Sequence, residues 1–361
     1  MKKYIVILAL LSTLSGFSQY CYIADTSRTN LKSATINYVP GSPLKYVRII
    51  IHFIQKDDGT GNFNETNDGM SPAHNYTGYD YADYITNYAN NLLDDNQPMR
   101  LQPFGEVPVY DPGYRYQLSG VFYWKNSYLY SNYSALDALM SNYGQSTSDA
   151  INIFITSPQG DTGGYARFIG DKAVLLFKPY ERYIESVNKN NGWYNHASGI
   201  IINHEVGHCL NLYHTMLTNG GTCQNNWDDY CDDTPTIQQM LDLSEPSPCC
   251  WNDVHCSNNL MDYNADMQCI TPDQLDLIHS SLSNEKLNFT ECNYQTASLH
   301  ISTFGNKSGS YIARNISVSG ASALIPNGKT VYLKGGEITL NSGFEVQVGG
   351  KLNLLSNPAC N

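Results

Sequence analysis

Basic residues are scarce in this chain. Lysine and arginine number 21 against 33 aspartates and glutamates in 361 residues, a formal charge of −12, with a pI near 5.1. Nucleic acid, whose phosphates such a surface repels, is excluded as a partner class. Charged residues of either sign are only 15% of the chain, while tyrosines number 28. The surface is therefore expected to be polar and aromatic, a composition that suits glycan or protein contacts. Long apolar runs are lacking as well. The N-terminal MKKYIVILALLSTLSGFSQ holds two lysines, an apolar stretch too short for a bilayer span, then small and polar residues. It reads as a secretory signal peptide over residues 1–18, cut after Ser18. No later stretch could cross a bilayer, so a secreted, extracellular chain is expected. Zinc-ribbon cysteine spacing is absent too, although ten cysteines are present. All follow the signal peptide, and eight fall between Cys209 and Cys292, which in an oxidising compartment points to disulfides.

What the chain does contain is HEVGHCLNLYH, His204 to His214. His204 and His208 stand four residues apart and project from one helical face. The preceding GIIIN supplies the apolar run of a core helix. Two neutral imidazoles on one face suit Zn2+. Glu205, beside the first of them, is better placed to hold a metal-bound water than to bind metal. His214 lies ten residues after His204, roughly 15 Å along an unbroken helix at about 1.5 Å per residue. The helix must therefore stop and turn back, which requires a residue at ease with positive φ. Asn211 occupies that position, and asparagine is the next best choice after glycine.

Downstream, NLMDYNADMQCITPDQLDLIH runs from Asn259 to His279, with Met261 and Tyr263 inside it. With this second signal the chain resembles the metzincin clan of zinc metallopeptidases, and within it the pappalysin-like (cytophagalysin) family. The resemblance covers residues 44–293 and includes YVRIIIHFIQ and INIFIT as central strands and CDDTP as an acidic loop. Asn211 is its clear departure. It implies an α+β catalytic domain: a mixed twisted sheet, an active-site helix and a subdomain carrying a methionine turn. It also implies that His204, His208 and His214 ligate zinc, with water in the fourth position. Glu205 would be the general base, Met261 a hydrophobic floor, and Tyr263 an oxyanion stabiliser or, in a resting state, a group approaching the metal. Asp266, just beyond the turn, would favour arginine or lysine after the scissile bond. Relatives carry structural calcium near the acidic loop, so Asp232 and Asp233 are candidate Ca2+ ligands, with a solvated loop as the equal alternative.

The rest of the chain divides at composition shifts. Residues 19–43 form a short lead-in, in which Cys21 could act as a latency thiolate, a disulfide being the preferred reading. Tyr79–Asp94, Ser198–Leu210 and Pro272–Ser283 read as helices. A bridge to Cys269 from Cys249, Cys250 or, the favoured partner, Cys256 is expected to clamp the methionine turn, with Cys209 a buried free thiol. AVLLF, Ala173–Phe177, is expected to be an exposed edge strand where a protein or peptide substrate adds as an extended strand. Over residues 296–361, pieces such as VYLKGG, ITLNSG and FEVQVGG alternate apolar with polar and end in glycine or asparagine. They read as a small all-β module of stacked strands, suited to cell-surface or matrix attachment. The leading expectation is a secreted zinc endopeptidase. The alternative is a catalytically inactive, metal-stabilised adhesion or binding protein, which would have no use for Glu205.

Overall fold

The structure is a computed structural model that describes residues 38–65, 77–100, 106–132, 134–157, 163–190, 193–215, 218–219, 222–223, 229–234, 257–262, 267–290, 298–304, 309–320 and 322–356. The expected signal peptide, most of the lead-in, Tyr263, Asp266 and Cys256 lie outside the described residues.

β1 (Lys45–Gln55) is apolar on both faces and buried from Val47 to Gln55, the pattern of a central parallel strand. β2 (Tyr114–Lys125) and β3 (Ile151–Thr156) flank it, both parallel to it. Parallel neighbours need crossover connections. α1 (Gly78–Asp94) supplies the first, and α2 (Ser127–Ser131) with α3 (Leu136–Tyr143) the second. α1 starts at a capping box in which Thr77 and Asp80 satisfy each other's backbone N–H groups. One polar group sits deep in the sheet. His52 on β1 bonds Asn152 Oδ1 through Nε2 (2.9 Å) and accepts the Trp124 indole N–H at Nδ1 (3.0 Å). Both ring nitrogens are satisfied, and burial lowers its pKa to about 3, so it is a neutral core residue.

The sheet order is β2-β1-β3-β5-β4, with β4 at Gly164–Ala166 and β5 at Ala173–Phe177. β5 is buried throughout, which corrects the expectation that it forms the exposed edge. The short β4 pairs antiparallel with it, Tyr165 opposite Leu175, and is itself the outermost strand. α4 (Pro179–Lys189) then leads to α5 (Trp193–Cys209), which packs on α1, α4, β4 and β5. α5 is enclosed on every side: Ile200, Ile201, Ile202, Val206 and Cys209 are all buried, as expected for a helix apolar all round. Two two-residue strands, β6 (Thr218–Asn219) and β7 (Thr222–Cys223), pair antiparallel. α6 (Pro272–Ser283) opens with a Thr271/Gln274 capping box and Pro272 in its first turn. No helix among the described residues is long and apolar enough to cross a membrane.

The C-terminal strands are β8 (Ser298–Ile301), β9 (Gly309–Val318), β10 (Leu324–Ile325), β11 (Thr330–Leu340), β12 (Glu345–Val346) and β13 (Lys351–Ser356). They make a parallel sheet in the order β13-β11-β9-β8 and a second pair, β10-β12. Equivalent residues of successive coils lie side by side: Gly309 beside Val331, Thr330 beside Lys351, Leu324 beside Glu345. Ile316, Val318, Ala323, Ile325, Val331 and Leu333 form their core. These strands rest on the β2 side of the larger sheet through Phe122–Tyr311 and Tyr79–Tyr332 ring contacts, 6.4 and 5.7 Å between centroids. A Lys329–Glu65 ion pair of 2.6 Å adds to the contact.

Candidate active site

α5 ends where the motif requires it to. The Leu212 N–H bonds the Gly207 carbonyl and the Asn211 N–H bonds the His208 carbonyl, at 3.0 and 3.1 Å. This pair of bonds is a Schellman motif with Asn211 at the left-handed position after the cap. Asn211 has φ of +75°, so the asparagine adopts the conformation that glycine would. The chain then reverses and brings His214 back to the helix.

The result is a convergent triad. His214 Nε2 stands 3.0 Å from His204 Nε2 and 3.1 Å from His208 Nε2. Tetrahedral coordination at about 2.0–2.1 Å puts ligand nitrogens about 3.3–3.4 Å apart, so the spacing fits one small ion. The tautomers follow from the other ring nitrogens. His204 Nδ1 donates to the Leu260 carbonyl (2.7 Å) and His208 Nδ1 to the Leu212 carbonyl (2.8 Å). A carbonyl only accepts, so these Nδ1 atoms carry the protons and the Nε2 lone pairs face the shared point. Burial keeps the rings neutral, lowering the pKa to about 4 at His204 and about 3 at His208. At His214 burial and the two neighbouring rings push it well below the ordinary value. Among the described residues, these three are the one group of metal-ligating side chains.

Glu205 follows His204 on the same turn and is fully buried. Oε2 accepts the Ala166 N–H from β4 (2.8 Å), while Oε1 has no hydrogen-bond partner. Burial raises its pKa to about 8, with the Ala166 bond opposing. A carboxylate with a spare acceptor and an affinity for protons near neutrality is suited to general-base work.

Met261 lies beneath α5. A Cβ added at Gly207 would meet its sulfur at 2.8 Å, so the glycine leaves the room that the methionine fills. The turn around it is held by backbone. The Leu260 N–H bonds the Cys269 carbonyl (2.7 Å), the Cys269 N–H bonds the Asn258 carbonyl (2.9 Å), and the Thr215 N–H bonds the Met261 carbonyl (3.1 Å). The amides of Asn259 and Gln274 then bond each other reciprocally at 2.9 Å, tying the turn to α6. Cys269 itself is a buried free thiol, which corrects the expected bridge to Cys256. It clamps the turn through its peptide group, which makes the sulfur unnecessary there. Cys209 is a buried thiol, as expected, with Sγ 3.9 Å from the Ala173 carbonyl oxygen.

The acidic residues do not gather with the triad. The Asp233 carboxylate accepts the Asp273 N–H at the start of α6 (2.9 Å), and the Asp232 N–H donates to the Asp273 carboxylate (2.8 Å). Burial raises the Asp233 pKa to about 6. These contacts cap α6. Sequence reasoning missed the Leu260 and Leu212 carbonyls and the Ala166 N–H. All three are backbone groups, which side-chain patterns do not announce.

Residues 181–283 match the model of the peptidase family described as Pregnancy-associated plasma protein-A, a span that holds the triad, Glu205, Met261 and α6. Over that span the chain is similar to pappalysin-like metallopeptidases. No curated protein matches it in sequence. Among solved structures it is similar to mature mirolysin from Tannerella forsythia, solved with a cleaved peptide. That likeness has 17% identity and a TM-score of 0.41, covering 67% of this chain and 93% of the other. The histidine triad, Glu205 and the turn around Met261 all lie in the matched span, while β4 lies outside it.

Proposed function

We propose that the chain is an exported zinc endopeptidase with Glu205 as general base. The observation that carries this is the meeting of three neutral Nε2 atoms next to a buried carboxylate with one oxygen unpaired. Three imidazoles suit zinc among the common metals. When bound, zinc supplies a Lewis acid that acidifies water and polarises a carbonyl. Glu205 takes the proton of the attacking water at its carboxylate and delivers it to the departing amine. Burial favours both halves of that transfer, because it holds the carboxyl near the protonation balance at neutral pH. The Ala166 N–H fixes one oxygen of Glu205 and leaves the other to the proton. β4, with a neighbour on one side only among the described residues, offers backbone for an extended peptide to add as a strand. Tyr263 is the candidate oxyanion donor, and Asp266 the candidate selector of a basic side chain after the scissile bond. Export rests on the N-terminal lysines and apolar run, and attachment to a surface or matrix on the C-terminal strands.

The test maps cleavage sites in an unfolded protein mixture by mass spectrometry, comparing wild type with Glu205→Ala at equal zinc content. Loss of the base should slow cleavage by about 10²–10⁴-fold while zinc stays bound. Equal cleavage by both proteins would remove Glu205 from the mechanism. No cleavage by zinc-loaded wild type would transfer the weight to a binding role.

A further inference from the structure

A second concave site lies away from the histidines, where the C-terminal sheet meets the peptidase domain. It is a cleft of about 790 Å³ bounded by α1, the start of β1, β2 and Tyr332 of β11. We propose that it binds a neutral oligosaccharide.

The lining carries the argument. Among its described lining residues six are tyrosines, and none is lysine, arginine or histidine. Phosphate, sulfate and acidic sugars therefore find no counter-charge. Tyr84 and Tyr88 stand one turn apart on α1 with centroids 5.9 Å apart, both half-buried. Tyr332 stands on another wall, next to Tyr79. Aromatic faces carry negative charge and attract the weakly positive C–H groups that one side of a pyranose ring presents. The remaining polar groups are chiefly amides, Asn91 of α1 and Gln117 of β2. Amides and phenols both donate and accept hydrogen bonds, which matches hydroxyl groups that do the same.

The two carboxylates on the lining do not redirect the site to a cation. Asp80 is engaged by the Thr77 N–H and hydroxyl, both at 2.7 Å, in the cap of α1. Asp83 accepts from Asn87 at 3.3 Å. The volume lies within the range of roughly 300–1,000 Å³ typical of small-ligand sites, and fits two to four sugar rings in an open groove. The same surface accounts for a feature of the sequence that catalysis does not use, its surplus of tyrosine and asparagine over charge.

The experiment is calorimetric titration of the full-length protein with tetrasaccharides of glucose, mannose, galactose, xylose and N-acetylglucosamine, and separately with spermine. At least one neutral sugar should bind. Tyr84→Ala should weaken it by roughly three- to tenfold, the worth of one aromatic contact, and exposed Asn91→Ala should weaken it without touching the packing. Cleavage of an unfolded protein should stay at the wild-type rate in both variants, so the result is independent of the peptidase reading. Three outcomes overturn the proposal: no sugar binds, binding is unchanged in both variants, or only spermine binds and Asp83→Asn abolishes it.

Discussion

The helix stop at Asn211 can be tested through the sign of one difference. Asn211→Gly and Asn211→Ala remove the same side chain, so subtracting one from the other leaves the backbone requirement alone. An L-residue with a Cβ pays roughly 1–2 kcal/mol in the left-handed region. Glycine gives back about 0.4–1 kcal/mol through the greater freedom of its unfolded chain. At φ of +75° glycine should therefore be the more stable of the two, by about 0.8 kcal/mol at the midpoints of those ranges. Inside an ordinary helix the order reverses, with alanine ahead by about 0.8–1.0 kcal/mol. For a domain of this size the gap corresponds to roughly 1–4 °C in Tm, readable by differential scanning calorimetry on metal-free protein. The same strain falls on the return of His214, so zinc competition against a chelator should rank glycine above alanine as well. An alanine variant that melts at or above the glycine variant would refute the assignment of Asn211 as the left-handed stop.

Three further outcomes follow from the site. Gly207→Ala places a Cβ 2.8 Å from the Met261 sulfur and should cost about 1–3 kcal/mol, while Met261→Ala should cost about 2–5 kcal/mol. Because the added methyl occupies space the methionine vacates, urea melts of the double variant should show less than the sum of the two; additive losses would place the residues apart. Gly164→Ala brings a Cβ to 2.7 Å from the Leu175 carbonyl, so β4 must shift and take the Ala166 N–H with it. Peptide cleavage should then fall with zinc content unchanged, and a variant as active as wild type would show that β4 does not position Glu205. Finally, the three triad histidines have pKa values lowered from 6.5 by burial, to about 4 at His204 and about 3 at His208. The unfolded chain thus binds more protons, and the stability from their neutral burial is lost as pH falls from 6.5 through the folded values. Glu205, raised from 4.5 to about 8, acts oppositely, losing stability as pH rises across that interval. Below pH 6.5 three groups oppose one, so the Tm of chelator-treated protein should drop on acidification from pH 6.5 to 4; a level profile would mean solvated imidazoles.

Much of the site was legible because its chemistry is local in sequence. The spacing of His204, Glu205 and His208 fixes one helical face, and the need to return His214 forces a stop whose residue type can be read directly. Ile151–Thr156 was legible through its resemblance to a central strand, and Pro272–Ser283 as the helix that follows the methionine turn. Sheet order was not. Ala173–Phe177 and Gly164–Ala166 are neighbours in the chain, and only the pairing of Ala173–Phe177 with β3 decides which is outermost. β2 went unread because its YRYQLSGVFYWK mixes polar residues with glycine, and it becomes a strand through eleven residues of pairing with β1. The Cys256–Cys269 expectation failed because cysteine content speaks of compartment, while the local need for a clamp was met by peptide hydrogen bonds.

That last point governs where the site is sensitive. The two outer hydrogen bonds of the triad imidazoles end on the carbonyls of Leu212 and Leu260, and the Glu205 carboxylate is held by the N–H of Ala166. The side chains at these three positions take no part in those bonds, so substitutions there act through packing alone. Control passes instead to the residues that set the backbone path: Asn211, which turns the chain after α5; Gly207, which lets Met261 approach; and Gly164, which lets β4 lie against β5. Two of the three are glycines and the third does the work of one. The proposed site therefore rests on four described side chains, His204, His208, His214 and Glu205, and on three positions that set the backbone path. The second class, which no ligand pattern reveals, is where otherwise mild changes to alanine should do the most harm.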